Sequence, residues 1–131
     1  MTQATALETM DREDVRLVVV EDHEDTRIAL QQQLELDGYH VRSASDGYEA
    51  IAVIEEHQPV CVLLDLAVPR LNGVELARHV RRRYGIGTVL IVVTGSASQK
   101  ELEAVESAGA DFVLRKPLDL TALSRLLPPI T

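Results

Sequence analysis

Short apolar runs alternate with longer stretches of mixed polarity along most of the chain. Each short run is rich in valine, isoleucine or leucine, a pattern typical of a strand buried on both faces of a parallel sheet. Each longer stretch has apolar residues at the spacing of an amphipathic helix. The pattern predicts strands near residues 17–20, 39–44, 60–64, 89–93 and 110–115, each followed by a helix.

Residues typical of helix ends lie where the predicted helices begin and end. Ser98 and Asp119 are predicted N-caps, because their short side chains accept hydrogen bonds from free backbone amides. Gly38 and Gly109 are predicted stops, because glycine readily adopts the left-handed conformation that ends many helices. The first helix, near residues 25–37, has its apolar side chains at Ile28, Leu30, Leu34 and Leu36.

Five alternations of strand and helix predict an α/β fold, in which a parallel sheet carries helices on both faces. The 131 residues fit one domain, and we see no internal repeat, low-complexity segment or interdomain linker. We expect a flexible tail at residues 1–14, a folded domain at residues 15–127 and a short tail at residues 128–131.

Composition narrows the class of protein. The formal net charge of -8 opposes binding to nucleic acid, because contacts to phosphates need a basic surface. No apolar run is long enough to span a membrane, and the acidic N-terminus lacks the apolar segment of a signal peptide. The single cysteine, Cys61, lies in an apolar run and is predicted to be a buried small hydrophobe in a reducing compartment. We therefore expect a cytoplasmic protein.

Polar side chains stand at the carboxyl ends of four predicted strands, where ligands bind in open α/β sheets. Glu21 and Asp22 follow the first strand, and Asp65 follows the third. Thr94 ends the fourth strand, and Lys116 follows the fifth. Three carboxylates brought together repel one another unless a cation joins them. Oxygen ligands of this kind suit Mg²⁺, which commonly takes one or two carboxylates together with a phosphate.

Asp65 is the candidate nucleophile at this edge of the sheet. It follows five apolar residues, so its carboxylate lies in a partly dry place where it can attack phosphorus and form an acyl phosphate. Phosphoryl transfer needs positive charge more than it needs a base. Mg²⁺ and Lys116 would supply that charge, and Thr94 would donate its hydroxyl to a phosphoryl oxygen.

Four groups of residues resemble, in this order and spacing, the motifs of response-regulator receiver domains. Each motif is weak alone, but the combination is specific, and the resemblance covers roughly residues 15–127. It implies a flavodoxin-like, doubly wound five-stranded parallel sheet in the order 2-1-3-4-5, with five helices on its two faces. The motifs are Val18-Val19-Val20-Glu21-Asp22-His23, Asp65-Leu66-Ala67-Val68-Pro69-Arg70-Leu71-Asn72-Gly73, Val93-Thr94-Gly95, and Gly109-Ala110-Asp111 with Lys116-Pro117.

The resemblance also implies roles for individual residues. Asp65 would be the phosphoacceptor, Thr94 the switch hydroxyl and Lys116 the amine that contacts the phosphoryl group. The Lys116-Pro117 peptide bond is often cis in such domains. The ligands of Mg²⁺ would be Asp22 directly, Glu21 through water, Asp65, and the backbone carbonyl of Ala67.

Two positions depart from the family pattern. Val68 stands before the loop proline, where methionine is frequent. Val113 stands three residues before Lys116, where an aromatic side chain usually reports phosphorylation. Phe112 is one residue too early and, by strand alternation, is predicted to face the other side of the sheet. We therefore expect phosphorylation to move Thr94 and the loop after it without a flip of an aromatic side chain.

The implied function is a signalling switch that accepts a phosphoryl group on Asp65, in a Mg²⁺-dependent reaction, from a sensor histidine kinase or a phosphotransfer protein. Such a domain is not an enzyme beyond phosphotransfer onto itself and its own dephosphorylation. The unknown output partner would bind the region from Ser98 to Leu114, and we leave a homodimer open. The chain would be a stand-alone receiver or a fragment of a hybrid kinase or longer regulator.

Other function classes are less favoured. A phosphohydrolase with an aspartate nucleophile commonly has a second acid two residues later, where this chain has Ala67, and turnover of an aryl phosphate would discriminate. A degenerate receiver would lack the acids, the threonine or the lysine, which are all present. The scattered histidines do not have the spacing of a zinc site. Four arginines are expected to stay solvated and to complement a helix dipole, at Arg78, Arg81, Arg82 and Arg83.

Overall fold

The computed structural model describes residues 15–129, so the predicted tail at residues 1–14 and the last two residues of the predicted C-terminal tail lie outside the described residues. Strands and helices alternate along the described chain. The strands are β1 (Arg16–Val20), β2 (His40–Ala44), β3 (Cys61–Asp65), β4 (Val89–Thr94) and β5 (Phe112–Arg115). The helices are α1 (Glu24–Leu36), α2 (Gly47–His57), α3 (Gly73–Tyr84), α4 (Gln99–Ser107) and α5 (Leu120–Leu126), with a 3₁₀ turn at Gly85–Gly87.

The strands form one parallel sheet in the order β2-β1-β3-β4-β5. The central strand β3 pairs with β1 on one side, where Leu64 lies opposite Val20, and with β4 on the other, where Asp65 lies opposite Val93. The predicted doubly wound, flavodoxin-like fold with the order 2-1-3-4-5 is therefore confirmed. Because all strands run the same way, their carboxyl ends lie at one edge of the sheet.

The two faces of the sheet carry separate apolar clusters. Val62 and Leu64 of β3 pack with residues of α2, α3 and α4, and Leu63 packs on the other face with residues of α1 and α5. Cys61 belongs to the second cluster and is fully buried, as predicted. Burial raises the pKa of its thiol to about 12. Each fully buried leucine stabilises the fold by roughly 1.5–3 kcal/mol, so the clusters hold the helices against the sheet.

The predicted helix caps are confirmed. Ser98 accepts a hydrogen bond from the backbone amide of Glu101, whose side chain accepts one from the Ser98 amide in return. The Asp119 carboxylate accepts hydrogen bonds from the backbone amides of Thr121 and Ala122 and so caps α5. Gly38 and Gly109 have φ angles of 107° and 115°, the left-handed region that glycine adopts without strain. Among residues 15–129, no helix is both long and apolar enough to cross a membrane.

Helix α1 exposes more apolar surface than its sequence suggests. Of its four long aliphatic side chains, Leu34 is buried and Leu30 is half-buried, whereas Ile28 and Leu36 are 42% and 80% exposed. The side chains that face the sheet follow a narrow stripe at helical spacing, which includes Leu30 and Leu34 but not the other two. Aliphatic residues outside such a stripe point to solvent.

Arg81 departs from the prediction that the arginines of α3 are solvated. Its guanidinium donates to the carbonyls of Gly109 at 2.6 Å and Thr88 at 2.9 Å, and pairs with the Asp111 carboxylate at 2.8 Å. These contacts join the end of α3 to the beginnings of β4 and β5. The pattern along α3 could not reveal this, because most of the partners are backbone carbonyls that come together only in the fold.

Candidate functional site

Acidic side chains from two neighbouring strands meet at the carboxyl edge of the sheet. Glu21 and Asp22 follow β1, and Asp65 is the last residue of β3. One oxygen atom of each carboxylate lies within 4.8 Å of the other two. Glu21 and Asp65 are buried and Asp22 is exposed. The sheet therefore brings together the three acids that the sequence analysis placed at strand ends.

Lys116 joins two of these carboxylates. Its Nζ atom donates a hydrogen bond to Oδ2 of Asp65 at 2.7 Å and another to Oε1 of Glu21 at 3.1 Å. Its backbone amide donates to the carbonyl of Thr94 at 2.8 Å, so the chain beyond β5 stays close to the end of β4. The peptide bond between Lys116 and Pro117 is cis, as the resemblance implies.

The remaining predicted residues surround Asp65. The backbone amide of Ala67 donates to Oδ1 of Asp65 at 2.9 Å, so the turn after β3 holds one carboxylate oxygen while Lys116 holds the other. Thr94 is buried at the end of β4 and follows Val93, the residue that lies opposite Asp65. The five predicted side chains and Ala67 therefore lie around one sheet edge.

The electrostatics of the site reflect an excess of negative charge. Burial raises the pKa of Glu21, and the neighbouring Asp65 carboxylate raises it further, although hydrogen bonds from the His23 amide and from Lys116 oppose the change. Burial by itself lowers the pKa of the Lys116 ammonium, but its hydrogen bonds to Asp65 and Glu21 outweigh this effect and the pKa rises. Three carboxylates face one ammonium, an arrangement that a bound cation would relieve.

A cavity of about 300 Å³ opens beside the carboxylates. Its lining includes Thr26 and Leu30 of α1, and Pro117 and Leu118 after β5. Most of its lining is apolar, and the polar end is formed by the carboxylates and Lys116. Asp65 is among the residues that line the cavity, so the cavity reaches the candidate nucleophile.

The sequence analysis did not predict that two glycines allow the loop between β3 and α3 to pack closely on neighbouring helices. Gly47 begins α2, and a Cβ atom there would lie 2.5 Å from Cβ of Leu71. Gly73 begins α3, and a Cβ atom there would lie 2.7 Å from Cα of Leu66. The two glycines therefore let the loop that carries Ala67 pack closely on the helix ends. Each glycine follows the N-cap residue of its helix, Asp46 or Asn72, and Asp-Gly and Asn-Gly pairs are a sequence signal typical of turns.

Comparisons with known proteins agree with this geometry. The family model of the response regulator receiver domain matches residues 17–127. The protein named response regulator MprA, from Mycobacterium sp. (strain KMS), is 39% identical over 109 residues, which cover 83% of this chain and 47% of that protein. The chain thus spans about half the length of the curated relatives it matches.

Solved structures show the same architecture. A CheY-like response regulator receiver domain protein from Methanospirillum hungatei JF-1 has a TM-score of 0.81 and 31% identity, and the match covers 85% of this chain and 88% of that one. A response regulator protein from Burkholderia pseudomallei, described with a phosphorylated aspartic acid, calcium ion and citrate, has a TM-score of 0.80 and 26% identity, over 88% of this chain and 67% of that one.

An open parallel sheet with an acidic cluster and a lysine at its carboxyl edge is the architecture of a class of signalling domains. The chain belongs to the response-regulator receiver family of two-component systems. Receiver domains are signalling domains rather than classical enzymes, and they typically bind Mg²⁺ through acidic residues such as those clustered here.

Proposed function

We propose that this chain is a signalling switch that accepts a phosphoryl group on Asp65 from a sensor histidine kinase or a phosphotransfer protein. The main support is the environment of Asp65, whose carboxylate oxygens are held separately by the Ala67 amide and by Lys116 beside two further acids. The phosphorylated aspartic acid in the description of the Burkholderia pseudomallei neighbour is consistent with this role.

In the proposed reaction, a carboxylate oxygen of Asp65 attacks the phosphorus atom of a phosphohistidine. The new bond between oxygen and phosphorus forms as the bond between phosphorus and the donor nitrogen breaks, and the nitrogen leaves with the electron pair. The Lys116 ammonium, 2.7 Å from Asp65, would neutralise charge on the phosphoryl oxygens. Thr94 would donate its hydroxyl to one of those oxygens and so transmit the change to the loop after β4.

The residues at the site fit a magnesium ion. The ligands would be Asp22, Asp65 and the backbone carbonyl of Ala67, with Glu21 through water, a set that consists of oxygen atoms alone, as Mg²⁺ prefers. Three carboxylate oxygens already lie within 4.8 Å of one another, and the site has negative charge in excess. When bound, the ion would stabilise negative charge on the transferring phosphoryl group.

The proposal extends to the phosphodonor and to the boundaries of the domain. The donor would approach through the cavity between α1 and the segment after β5, because that cavity reaches Asp65. The receiver domain would occupy residues 15–127 in the cytoplasm, alone or as part of a hybrid kinase or longer regulator. Its output surface would be the region from Ser98 to Leu114, which contains α4 and most of β5.

The acceptor role can be tested by measuring intact mass after incubation with acetyl phosphate and Mg²⁺. Wild type should gain one phosphoryl group, and Asp65→Asn should gain none. Asp25→Asn is the control, because Asp25 is an exposed acid next to Thr26, which lines the cavity, but is not at a strand end, and it should label like wild type. Equal labelling of Asp65→Asn would disprove the acceptor assignment, and full labelling in excess chelator would disprove the magnesium requirement.

A further inference from the structure

Helix α3 and the turn after it concentrate positive charge in an acidic chain. Residues 73–87 contain four arginines and one acid, whereas the rest of the chain contains nine lysines and arginines against twenty acids. Arg78, Arg82 and Arg83 are exposed, and Arg81 is turned inward. The proposed phosphotransfer uses none of these residues.

The exposed arginines of α3 differ in the ion pairs that they form. Arg83 pairs with Glu55 of α2 at 2.9 Å, and Arg78 pairs with Glu75 of its own helix at 3.2 Å. Arg82 takes part in no ion pair within residues 15–129, and its guanidinium lies 3.5 Å from the carbonyl of Arg78. Arg78 and Arg82 are four residues apart, so their side chains lie on the same outer face of α3.

An exposed isoleucine lies in the turn directly after α3. Ile86 is 93% exposed, more than any other large apolar side chain in the described part of the chain. It lies between Gly85 and Gly87, and a Cβ atom added at either glycine would have no neighbour within 4 Å. The turn therefore holds Ile86 in open solvent, four residues beyond Arg82.

We propose that Arg78, Arg82 and Ile86, called here the α3 surface, dock an acidic peptide segment that carries one apolar anchor residue. The two guanidinium groups would pair with carboxylates of the segment, and Ile86 would pack against the anchor. The acidic remainder of the chain repels an acidic segment, but salt screens this repulsion over about 10 Å, so the two arginines attract the segment only at close range and the contact is local.

Other occupants fit the α3 surface less well. An extended polyanion, such as duplex DNA or an anionic membrane, would meet the repulsion of the strongly acidic remainder of the chain. One isoleucine also offers far less apolar surface than the single acyl chain that gives only marginal membrane binding. A second copy would have to present a different, acidic face, and contacts of that kind form open filaments unless they close into a ring.

The α3 surface is remote from the phosphoacceptor. Helix α3 begins just after the loop that follows β3 and has 12 residues, so its two ends are about 18 Å apart. The contacts of Arg81 fix the far end against Gly109 and Thr88. Docking there would leave the route to Asp65 free and would be independent of phosphorylation, which takes the inference beyond the proposed function.

Fluorescence anisotropy with the full chain tests the surface. The probes are a fluorescein-labelled peptide of glutamates with a central leucine and its counterpart with glutamates alone. Wild type should bind the leucine peptide more tightly, and added salt should weaken both complexes. Arg78→Gln combined with Arg82→Gln should weaken both by about fivefold or more. Ile86→Ser should weaken only the leucine peptide.

The matched control is the double variant Lys100→Gln with Arg125→Gln, which removes two exposed cations on other helices. It should leave the affinities for both peptides unchanged. Beryllofluoride with Mg²⁺ should also leave them unchanged, so failure of the phosphorylation hypothesis does not affect this experiment. Absence of binding, equal loss in the control, or a change with beryllofluoride would overturn the proposal. Tighter binding to duplex DNA or to vesicles of phosphatidylserine and phosphatidylcholine would overturn the choice of a peptide.

Discussion

Asp65 is held by few contacts, and each has a separate origin in the chain. The Ala67 amide binds one oxygen because the turn after β3 folds back on the strand end. Lys116 binds the other from the end of β5, two strands away in the sheet. A phosphoryl group on either oxygen must replace one of these hydrogen bonds. Phosphorylation would therefore change the contacts of the turn or of Lys116, whichever oxygen reacts.

We expect the phosphorylated protein to lose its phosphoryl group slowly. Hydrolysis needs a water in line with the leaving oxygen, and the side chains two residues after Asp65 and Thr94 would flank its approach. Those residues are Ala67, which forms no side-chain hydrogen bond, and Ser96, which is short; both are exposed. Ala67→Asn combined with Ser96→Glu should speed decay by about tenfold or more, about 1.4 kcal/mol for each tenfold.

The decay is measured by intact mass at intervals after the phosphodonor is removed. A control with the same two kinds of substitution at exposed positions of α2 and α4, Ala52→Asn with Ser107→Glu, should decay like wild type. If the first double variant decayed no faster than wild type, water positioning at these two residues would not set the lifetime.

The sequence was sufficient to predict which residues meet at the site but not how they pair. Apolar runs that end in Glu21, Asp65 or Thr94 reveal a strand end, and parallel strands share one edge. The double contact of Lys116 with Asp65 and Glu21 depends on side-chain geometry that no spacing encodes. The inward turn of Arg81 was unpredictable for the same reason, since its partners are mostly backbone carbonyls.

At the scale of elements, α2 and the loop before α3 are coupled through Gly47. A Cβ atom at this position would collide with the backbone and side chain of Leu71. We expect Gly47→Ala to lower the free energy of unfolding by about 1–3 kcal/mol, because the loop must shift. Gly87→Ala is the matched control, since a Cβ atom there meets nothing within 4 Å, and it should gain at most about 1 kcal/mol. Equal urea midpoints for the two variants would contradict the packing described here.

The end of α2 should make stability depend on pH through His57. Burial lowers the pKa of His57 below its ordinary value of 6.5; the hydrogen bond to the His40 carbonyl opposes this, and the nearby charges of His40, Arg16 and Arg42 add to it. The unfolded chain therefore takes up a proton at His57 before the folded chain does. The stability that depends on neutral His57 is complete above pH 6.5 and is lost as the pH falls from there to the lowered pKa of the folded state.

The variant His57→Gln should remove part of this loss, because glutamine keeps a donor for the His40 carbonyl but does not titrate. Urea midpoints measured from about pH 7.5 to about pH 5.5 should fall less for His57→Gln than for wild type. His79→Gln, at a half-buried histidine of α3, is the control and should fall as wild type does. Parallel falls for His57→Gln and wild type would exclude His57 as the cause.

Element boundaries were predictable wherever a cap or a glycine marked them, as at Ser98 and Gly109. The beginning of β5 was predicted two residues early, at Ala110 rather than Phe112. Asp111 explains the difference, because its carboxylate accepts hydrogen bonds from Arg81 and from the backbone amide of Leu90. The sequence alone does not show these contacts of Asp111 with β4 and α3, so the prediction included it in the strand.

At the scale of the whole molecule, the sheet connects the site to α4 and β5. We expect beryllofluoride with Mg²⁺ to shift the backbone amide resonances of Thr94 and of residues 98–114 most. The rearrangement should proceed without an aromatic flip, since Val113 packs against the cluster below α4 while Phe112 is 42% exposed. Two states that differ by a few kcal/mol, on the order of 1–5, suffice for such a switch. Asp65→Asn should show no such shifts, and large shifts confined to other regions would refute the output assignment.

The architecture was predictable in two stages. Alternating runs predicted an α/β class with a parallel sheet, because strand burial and helix periodicity leave clear patterns. They did not predict the strand order, since right-handed crossovers still permit more than one arrangement. The order 2-1-3-4-5 followed from the resemblance at the strand ends, and the motif from Asp65 to Gly73 was the longest part of it.

The buried thiol of Cys61 can be used to follow the opening of the sheet. Cys61 begins the central strand, is the only cysteine of the sequence, and has a pKa raised by burial to about 12. A water-soluble disulfide reagent attacks through the thiolate, so it must wait until β3 separates from β1 and β4. The rate at which Cys61 is labelled therefore reports the opening of the sheet without any engineered probe. Any ligand that binds the folded domain in preference to the opened one slows this labelling.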